Sequence, residues 1–582
     1  MDKEEHGIGL DAQDIGVTNN PFTDQLNELQ AKIRGGFSKV EVGFSGAGKG
    51  SGQNLTPGSY GSRQREAIRE LSKVNDVELT THASFSIPGV SGLTQQGYND
   101  KAQKMAVDEI KRAIDFAADT AGGGAVVFHL GEHARPVMEA GMSEEEIARQ
   151  RLEIQKHGDE YMPQFLDSSQ QRQRGYFGVV DTRTNTVTEG PIDTTRTFYE
   201  PVIEDGVVKT YKGGEKKPDG SIAEKGDPVT RGYNWDTVVS EAEEHNRLIR
   251  QQGRNDDSRF ANTKYTDSEI TPSEYFRLKQ INDQIFQQRG QEAYYRNFSR
   301  QGGSARDRQY YLQGIAQVEG QIAELNAQRD SLMSITEFAN QQAAKSLAEL
   351  GMHAINQQER GEKEQGSKFK RDLYVAPENV FPEQYGGHPE EMKKIIKEGR
   401  EELARRLKTE RGISIEQAKK EAEKRIKGTF DIAHFNLFKK YHTGTEEEYN
   451  KWYWKQVKEV QKENTLGHIH ISDNLGYNDE HLSPGEGSLP VKELVEEFKK
   501  GDVDFIVETG RQNEESFIAA FREFGTPVHG LSRPDRADPW NVIEHSYFGR
   551  TSSPYFVVGE YASGLGMGTQ ESFRTWHGGP ME

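Results

Sequence analysis

Between Leu466 and Gly510 the chain reads Gly467-His468-Ile469-His470-Ile471-Ser472-Asp473, then Asp479-Glu480-His481, Gly485-Glu486-Gly487, and Phe505-Ile506-Val507-Glu508-Thr509. Two apolar, β-branched runs each deliver metal-ligand side chains at their C-terminal ends, and an Asp-x-His loop lies between them. Carboxylate oxygens and imidazole nitrogens suit Zn²⁺ or Mn²⁺, and an open, carboxylate-rich set suits catalysis better than structure. The pattern recurs upstream. His82 follows Glu78-Leu79-Thr80-Thr81, His129 follows Val126-Val127-Phe128, Glu378 ends Val375-Ala376-Pro377-Glu378, and Asp431 and His434 close Phe430-Asp431-Ile432-Ala433-His434. Taken singly, each His reads as a hydrogen-bonded structural residue and each Asp or Glu as a helix N-cap or solvated loop residue. Together, carboxylates and imidazoles converging on one mouth would repel one another and suffer desolvation unless a cation held them. That joint pattern predicts a metal-dependent enzyme.

The elements that must carry these residues alternate between strand and helix. Strands are expected at Gly7–Ala12, Val40–Phe44, Val77–His82, Ala125–His129, Leu373–Ala376, Thr429–Ala433, Gly467–Ile471 and Phe505–Glu508. Helical patterns separate them at Pro21–Ile33, Arg63–Val74, Asn99–Thr120, Pro389 to about Ile426, Glu446–Gln461 and Val491–Lys500. Eight such units close as a (β/α)₈ TIM barrel, whose sites sit on the loops after the strands. The alternation breaks between His129 and Leu373. Gly178–Pro191 and Thr197–Tyr211 read as hairpins there, and Tyr275–Ile285 and Tyr311–Leu332 as helices; Ile315, Ile322 and Leu325 need a partner surface. The expected division is residues 1–134 for the first half-barrel, 135–366 for a large α+β insertion after the fourth strand, 367–526 for the second half and 527–582 for a C-terminal extension. The insertion should overhang the active face, or else mediate protein contacts or oligomerisation. In the extension, Trp540, Tyr547, Phe548, Tyr555, Phe556 and Trp576 are expected to pack in part on the barrel.

Composition narrows the class. The chain has 582 residues, a formal charge of −19 and no cysteine, which excludes disulfides, thiolate-held zinc and thiol catalysis. Hydrophobic residues make up 33% and mean hydropathy is −0.86, so long solvated helices or polar insertions are expected. The acidic balance opposes non-specific nucleic-acid binding, leaving any phosphate-bearing substrate to be drawn by local charge. The charged start Met1-Asp2-Lys3-Glu4-Glu5 and the absence of a long apolar run predict a soluble, cytoplasmic protein with no membrane partner.

Thr81-His82-Ala83-Ser84, Phe128-His129-Leu130-Gly131, Glu378-Asn379, Asp431-Ile432-Ala433-His434, His470-Ile471-Ser472-Asp473, Asp479-Glu480-His481 with Gly485-Glu486-Gly487, and Glu508-Thr509 resemble the endonuclease IV family (AP endonuclease family 2) of the xylose-isomerase-like barrels. The resemblance spans about Gly7–Arg135 and Leu373–Phe524. It implies a trinuclear zinc site, with Mn²⁺ as an alternative at one position. By that carry-over His82, His129 and Glu378 hold one ion, Glu378 bridges to a second held by Asp431, His470 and Glu508, and His434, Asp479 and His481 hold the third. The implied function is a metal-dependent phosphodiester hydrolase, an AP endonuclease in DNA repair that acts on DNA or another phosphodiester. Glu378 would hold the nucleophilic hydroxide, and Phe85 and Lys49 would touch substrate.

The loop Ser45-Gly46-Ala47-Gly48-Lys49-Gly50-Ser51-Gly52-Gln53 departs from that family, whose corresponding loop puts bulky and basic side chains into DNA; here it has one basic residue. As a phosphate-binding P-loop it lacks the Ser or Thr required after Lys49. His468 reads as a core hydrogen-bonder one layer below the metals, and Glu132 and His133 as supporting or plain loop residues. The alternative function is a sugar isomerase or epimerase of the same superfamily, needing only Glu378, Asp431, His470 and Glu508 around one divalent metal. A non-catalytic relic barrel is the third reading.

Overall fold

The computed structural model describes residues 10 and 13–526, apart from 49–54, 88, 167–173, 194–195, 205–206, 219, 258, 261–262, 302–303, 367–368, 370 and 511–513. Eight parallel strands close a barrel in chain order: β1 Ile15–Thr18, β2 Lys39–Gly43, β3 Glu78–His82, β4 Gly124–His129, β5 Leu373–Glu378, β6 Gly428–Asp431, β7 Leu466–Ile471 and β8 Asp504–Val507, with β8 pairing back to β1. This is the expected (β/α)₈ fold. Most strands are buried along their whole length because helices cover the outside and side chains fill the inside. The strand expected at Gly7–Ala12 falls outside the described residues except for Leu10, and Ile15–Thr18 forms the first strand instead.

The helix expected from Pro389 to about Ile426 is two helices, Pro389–Arg411 and Ile415–Arg425. Gly412 ends the first in the left-handed region at φ 66°, and the Ser414 side chain caps the second. Both signals are local and interrupt an otherwise continuous charged pattern.

Period-two alternation points every second residue inward, stacking the interior in layers. Lys39, Glu78, Tyr374 and Asp504 form the layer at the amino ends of the strands. Glu41, Thr80, Thr429 and His468 lie in the middle, with Glu41 paired in register to Thr80 and Thr429 to His468. His82, His129, Glu378, Asp431 and His470 crown the carboxyl ends. Register sets the level of that crown: His129 lies opposite Glu378 and Asp431 opposite His470. In β1, a Cβ on Gly16 would fall 2.4 Å from Ile506 Cδ1 and 2.7 Å from Lys39 Cγ, so only glycine leaves room for the neighbouring side chains.

The chain divides into a barrel unit, Met1–Gly141 with Ala339–Glu582, and an inserted unit, Met142–Phe338. The insertion is therefore shorter at both ends than the expected 135–366. Helix Ile335–Gln365 runs from its end into the barrel unit, where Ala339, Ala343, Leu347, Leu350 and Ala354 are buried. The small side chains of this face gave a weak periodic signal. Within the inserted unit, Arg174–Asp181 and Thr186–Asp193 form an antiparallel hairpin joined by Leu332–Ser334. Helices Pro272–Arg300 and Ala305–Asp330 pack together, with Tyr295 and Phe298 against Tyr311. Ile315 is buried, and Ile322 and Leu325 pack on the unit's core of Trp235, Phe260, Tyr275 and Phe276. No helix among the described residues is long and apolar enough to cross a membrane. The C-terminal extension from residue 527 lies outside the described residues.

Candidate metal centre

The nine expected ligands converge at the carboxyl ends of the strands. Glu378, at the end of β5, lies at their centre: its Oε2 is 3.2 Å from His82 Nε2 and 3.4 Å from His129 Nε2, while its Oε1 is 2.8 Å from His470 Nδ1. The same His470 nitrogen lies 3.2 Å from Glu508 Oε2 and 4.0 Å from Asp431 Oδ2. Beside them, Asp479 Oδ2 is 3.0 Å from His481 Nε2 and 3.5 Å from His434 Nε2. Ligand atoms of Glu378, Asp431, His470 and Glu508 all lie within 4.8 Å of one another, as do those of His434, Asp479 and His481, and those of His82, Glu378 and His470.

Local hydrogen bonds aim these groups. His82 Nδ1 donates to the Ala83 carbonyl at 2.7 Å and His434 Nδ1 to the Asn379 carbonyl at 3.0 Å, so in the neutral rings the Nε2 lone pairs face the cluster. Asp431 serves twice. Its Oδ1 caps the short helix Ile432–Asn436 by accepting from the Ala433 and His434 amides at 2.7 Å, which leaves Oδ2 buried without a hydrogen bond. Asn379 fixes the Asp431 backbone by accepting from its amide and donating to its carbonyl. Asp473 accepts from the amides of Gly485, Gly487 and Leu489, shaping the loop that follows Asp479 and His481. A Cβ at Gly487 would sit 2.2 Å from Asp473 Oδ1, which accounts for that glycine. His481 is held in the left-handed region at φ 46°, a strained conformation that places its ring against Asp479.

Carboxylates and imidazoles shift one another strongly across the site. Against the cost of burial, His470 and the other imidazoles hold Glu378 well below the usual carboxylate range. Burial pushes Asp431 up, reinforced by Glu378 and Glu508. The carboxylates outweigh burial at His470 and His434, raising both well above the ordinary imidazole value, and Asp479 lifts His481 to about 9. Burial drives His129 down to about 3. Among the described residues, no Lys or Arg forms an ion pair with Glu378, Asp431, Asp479 or Glu508, and Asp479 Oδ1 and His481 Nδ1 are buried without hydrogen bonds. Mixed oxygen and nitrogen donors with spare lone pairs fit a divalent ion such as Zn²⁺ or Mn²⁺.

Phe85 packs edge-on against Phe22 just beyond β3, and Lys49 lies outside the described residues. Glu132 accepts from the Val90 and Ser91 amides and His133 stacks on Tyr385, so both hold loops. His468 lies one layer down, as expected, with Nε2 3.4 Å from Glu41 Oε2. Glu41 itself went unrecognised in the sequence. It is 1% exposed and its Oε1 lies 2.9 Å from His470 Nε2. Its signal was a charged residue on the inward parity of a buried Val-Glu-Val strand.

No known family's sequence profile matches the chain, and no curated protein does. Solved structures with a similar barrel include a D-tagatose 3-epimerase-like protein at 14% identity, covering 88% of this chain and 96% of that one with a TM-score of 0.34. A 3-keto-D-glucoside 4-epimerase from E. coli is similar at 11% identity, with 88% and 97% covered and a TM-score of 0.34. A Thermus thermophilus protein soaked with zinc chloride is similar at 10% identity, with 89% and 99% covered and a TM-score of 0.34.

The expected DNA endonuclease, with its hydrolase and DNA-repair roles, is corrected here. The similar solved structures include sugar epimerases and a sugar phosphate isomerase/epimerase, and no sequence profile supports the endonuclease IV family. The loop after β2 is anchored at Gly48, whose amide donates to Glu109 and whose carbonyl accepts from Thr56. The resemblance had pointed to phosphodiester chemistry, whereas a carboxylate–imidazole set serves any substrate that binds through oxygen.

Proposed function

We propose that this chain is a divalent-metal-dependent isomerase or epimerase acting on a small hydroxy-carbonyl sugar. The observation that carries the reading is the four-group set Glu378, Asp431, His470 and Glu508, gathered within 4.8 Å at the barrel mouth with no Lys or Arg among them. Such a set fits one Zn²⁺ or Mn²⁺, and His434, Asp479 and His481 form a second candidate position. When bound, the ion supplies polarisation of a carbonyl and its neighbouring hydroxyl, which acidifies the intervening C–H.

The two glutamates divide the remaining work. Glu508 is the more open, with a side chain 24% exposed against 0% for Glu378. It takes the proton from the carbon beside the carbonyl, and the C–H electron pair moves into an enediolate. The proton now on Glu508 returns to the adjacent carbon for an isomer. For an epimer Glu378, an ionised carboxylate in the folded chain, first takes the proton of the substrate hydroxyl and delivers it to the other face of the carbon, and Glu508 reprotonates that oxygen. His82 and His129, both within reach of Glu378 Oε2, orient that carboxylate.

The test is solvent exchange. Purified protein of measured metal content is incubated in D₂O with a panel of aldoses, ketoses and their phosphate esters, and deuterium at the carbon beside the carbonyl is followed by NMR. Metal-dependent incorporation that disappears in Glu508→Gln supports the reading. Absence of exchange across the panel with metal-loaded protein overturns it.

A further inference from the structure

Behind the ligand set lies a carboxylate with no substrate or solvent to meet. Glu41, in the middle of β2, is 1% exposed. Its Oε1 lies 2.9 Å from His470 Nε2, while its Oε2 accepts from the Thr80 hydroxyl at 3.1 Å and lies 3.4 Å from His468 Nε2. The far nitrogen of the same His470 ring faces Glu378 at 2.8 Å. A neutral imidazole carries one N–H, and an ionised carboxylate can only accept. Both nitrogens face a carboxylate; when Glu378, Asp431 and Glu508 hold a cation, Nδ1 gives its lone pair to that ion and the one N–H of the ring is Nε2–H, donated to Glu41.

We propose that Glu41 is the positioning residue of the metal centre, fixing the tautomer and orientation of His470 from one layer below. The inference rests on reading Glu378, Asp431, His470 and Glu508 as the ligands of one cation. A carboxylate in that position also raises the basicity of the ligating nitrogen, and loss of such a partner typically weakens metal binding by about 10–100-fold. The Thr80 hydroxyl holds the second oxygen by a hydrogen bond, so the carboxylate cannot swing away from the ring without breaking it.

Cation binding without substrate tests this. Mn²⁺ titrations monitored by electron paramagnetic resonance give the affinity and stoichiometry of the wild type, Glu41→Gln and Glu41→Ala, and the visible spectrum of Co²⁺-loaded protein reports the ligand geometry. Glu41→Gln keeps an acceptor oxygen but loses the charge, and should weaken Mn²⁺ binding by about tenfold; Glu41→Ala loses both and should approach about 100-fold. Both should alter the Co²⁺ spectrum. A residue that merely stabilised the barrel would lower the melting temperature and leave the affinity of the folded protein unchanged. Wild-type affinity in a folded Glu41 variant therefore overturns the proposal, with Glu41→Gln deciding alone if Glu41→Ala does not fold. Loss of one bound ion with the rest held at wild-type affinity also overturns it, since Glu41 would then be a ligand. A wild type that binds Mn²⁺ beside unaffected variants leaves the isomerase reading standing, whereas a wild type that binds none overturns both.

Discussion

At the amino ends of the strands, Lys39 Nζ lies 2.7 Å from Asp504 and 3.6 Å from Glu78, while Arg371 pairs with the same two carboxylates. At the carboxyl ends of the same strands, Glu378, Asp431, Asp479 and Glu508 face only imidazoles. Both layers bury charge inside one barrel, although Glu78 of the lower one is exposed. The lower ring closes on itself, two acids against two bases, and its pairs are complete in the folded chain. The upper ring has no Lys or Arg among the described residues; its acids are balanced in part by imidazoles raised well above their ordinary value, whose protons a bound cation would displace. Buried acids in a barrel thus differ in meaning according to whether the chain supplies their counter-charge.

The largest effect expected from breaking this contrast is on turnover. Glu508→Gln removes the open carboxylate and should reduce deuterium exchange by about 10³-fold, the scale of losing a general base. Glu378→Gln should do the same and also lower metal content. Neither should unfold the barrel, whose hydrophobic layers the substitutions do not touch. Exchange within about tenfold of wild type in either variant would break the assignment of the upper ring to catalysis.

The lower ring should respond in stability instead. Although burial raises its pKa, Arg371 and Lys39 hold Asp504 down to about 2, from an ordinary value of 3.8. A depressed carboxylate contributes stability that is fully present above its unfolded value and is lost as pH falls through the folded one. Barrel stability should therefore decline between about pH 4 and pH 2, and Asp504→Asn should cost roughly 2 kcal/mol at neutral pH. Mn²⁺ affinity should stay at the wild-type value. A change in affinity without loss of thermal stability would erase the distinction between the rings.

Asp431→Asn offers a smaller and opposite test. Burial and the neighbouring Glu378 and Glu508 raise the Asp431 pKa, so its charge is disfavoured in the metal-free fold. Asparagine keeps an oxygen to accept from the Ala433 and His434 amides. Metal-free Asp431→Asn should melt higher than wild type at pH 8 while binding Mn²⁺ more weakly. A lower melting temperature in the metal-free protein would show that the upper ring is already balanced by its imidazoles.

Much of this contrast was legible in the sequence. Strand runs ending in His or an acid placed the upper ring, because period-two alternation and (β/α)₈ closure turn strand ends into a shared mouth. Glu41 was hidden by the same alternation: in Val40-Glu41-Val42 the parity alone does not say which face is the interior. The first strand escaped because Ile15–Thr18 is short and lies beside a polar start. Helix Ile335–Gln365 was missed because an alanine-rich buried face gives little hydropathic contrast among glutamines. The activity was misread for a different reason. Ligand types specify a cation, whereas the substrate is chosen by loops, and Ser45–Gln53 offers glycines rather than recognisable contacts.

The gentlest perturbation is removal of the inserted unit. Met142–Phe338 carries its own core of Trp235, Phe260, Tyr275, Phe276 and Leu278, and it enters and leaves the chain between β4 and the helix segment that belongs to the barrel. None of the nine expected ligands, nor Glu41, lies within it. Replacing 142–338 by a short Gly/Ser linker should leave Mn²⁺ affinity and stoichiometry unchanged, because both rings of charge and the strands that carry them remain. On the expectation from sequence that the insertion overhangs the active face, the choice or rate of substrate should change. Titration of the truncated protein, followed by exchange assays on the same sugar panel, separates these outcomes. Metal binding lost in a folded truncation would show that the upper ring is completed from the insertion. Unchanged binding with unchanged substrate choice and rate would leave the insertion without a part in the reaction.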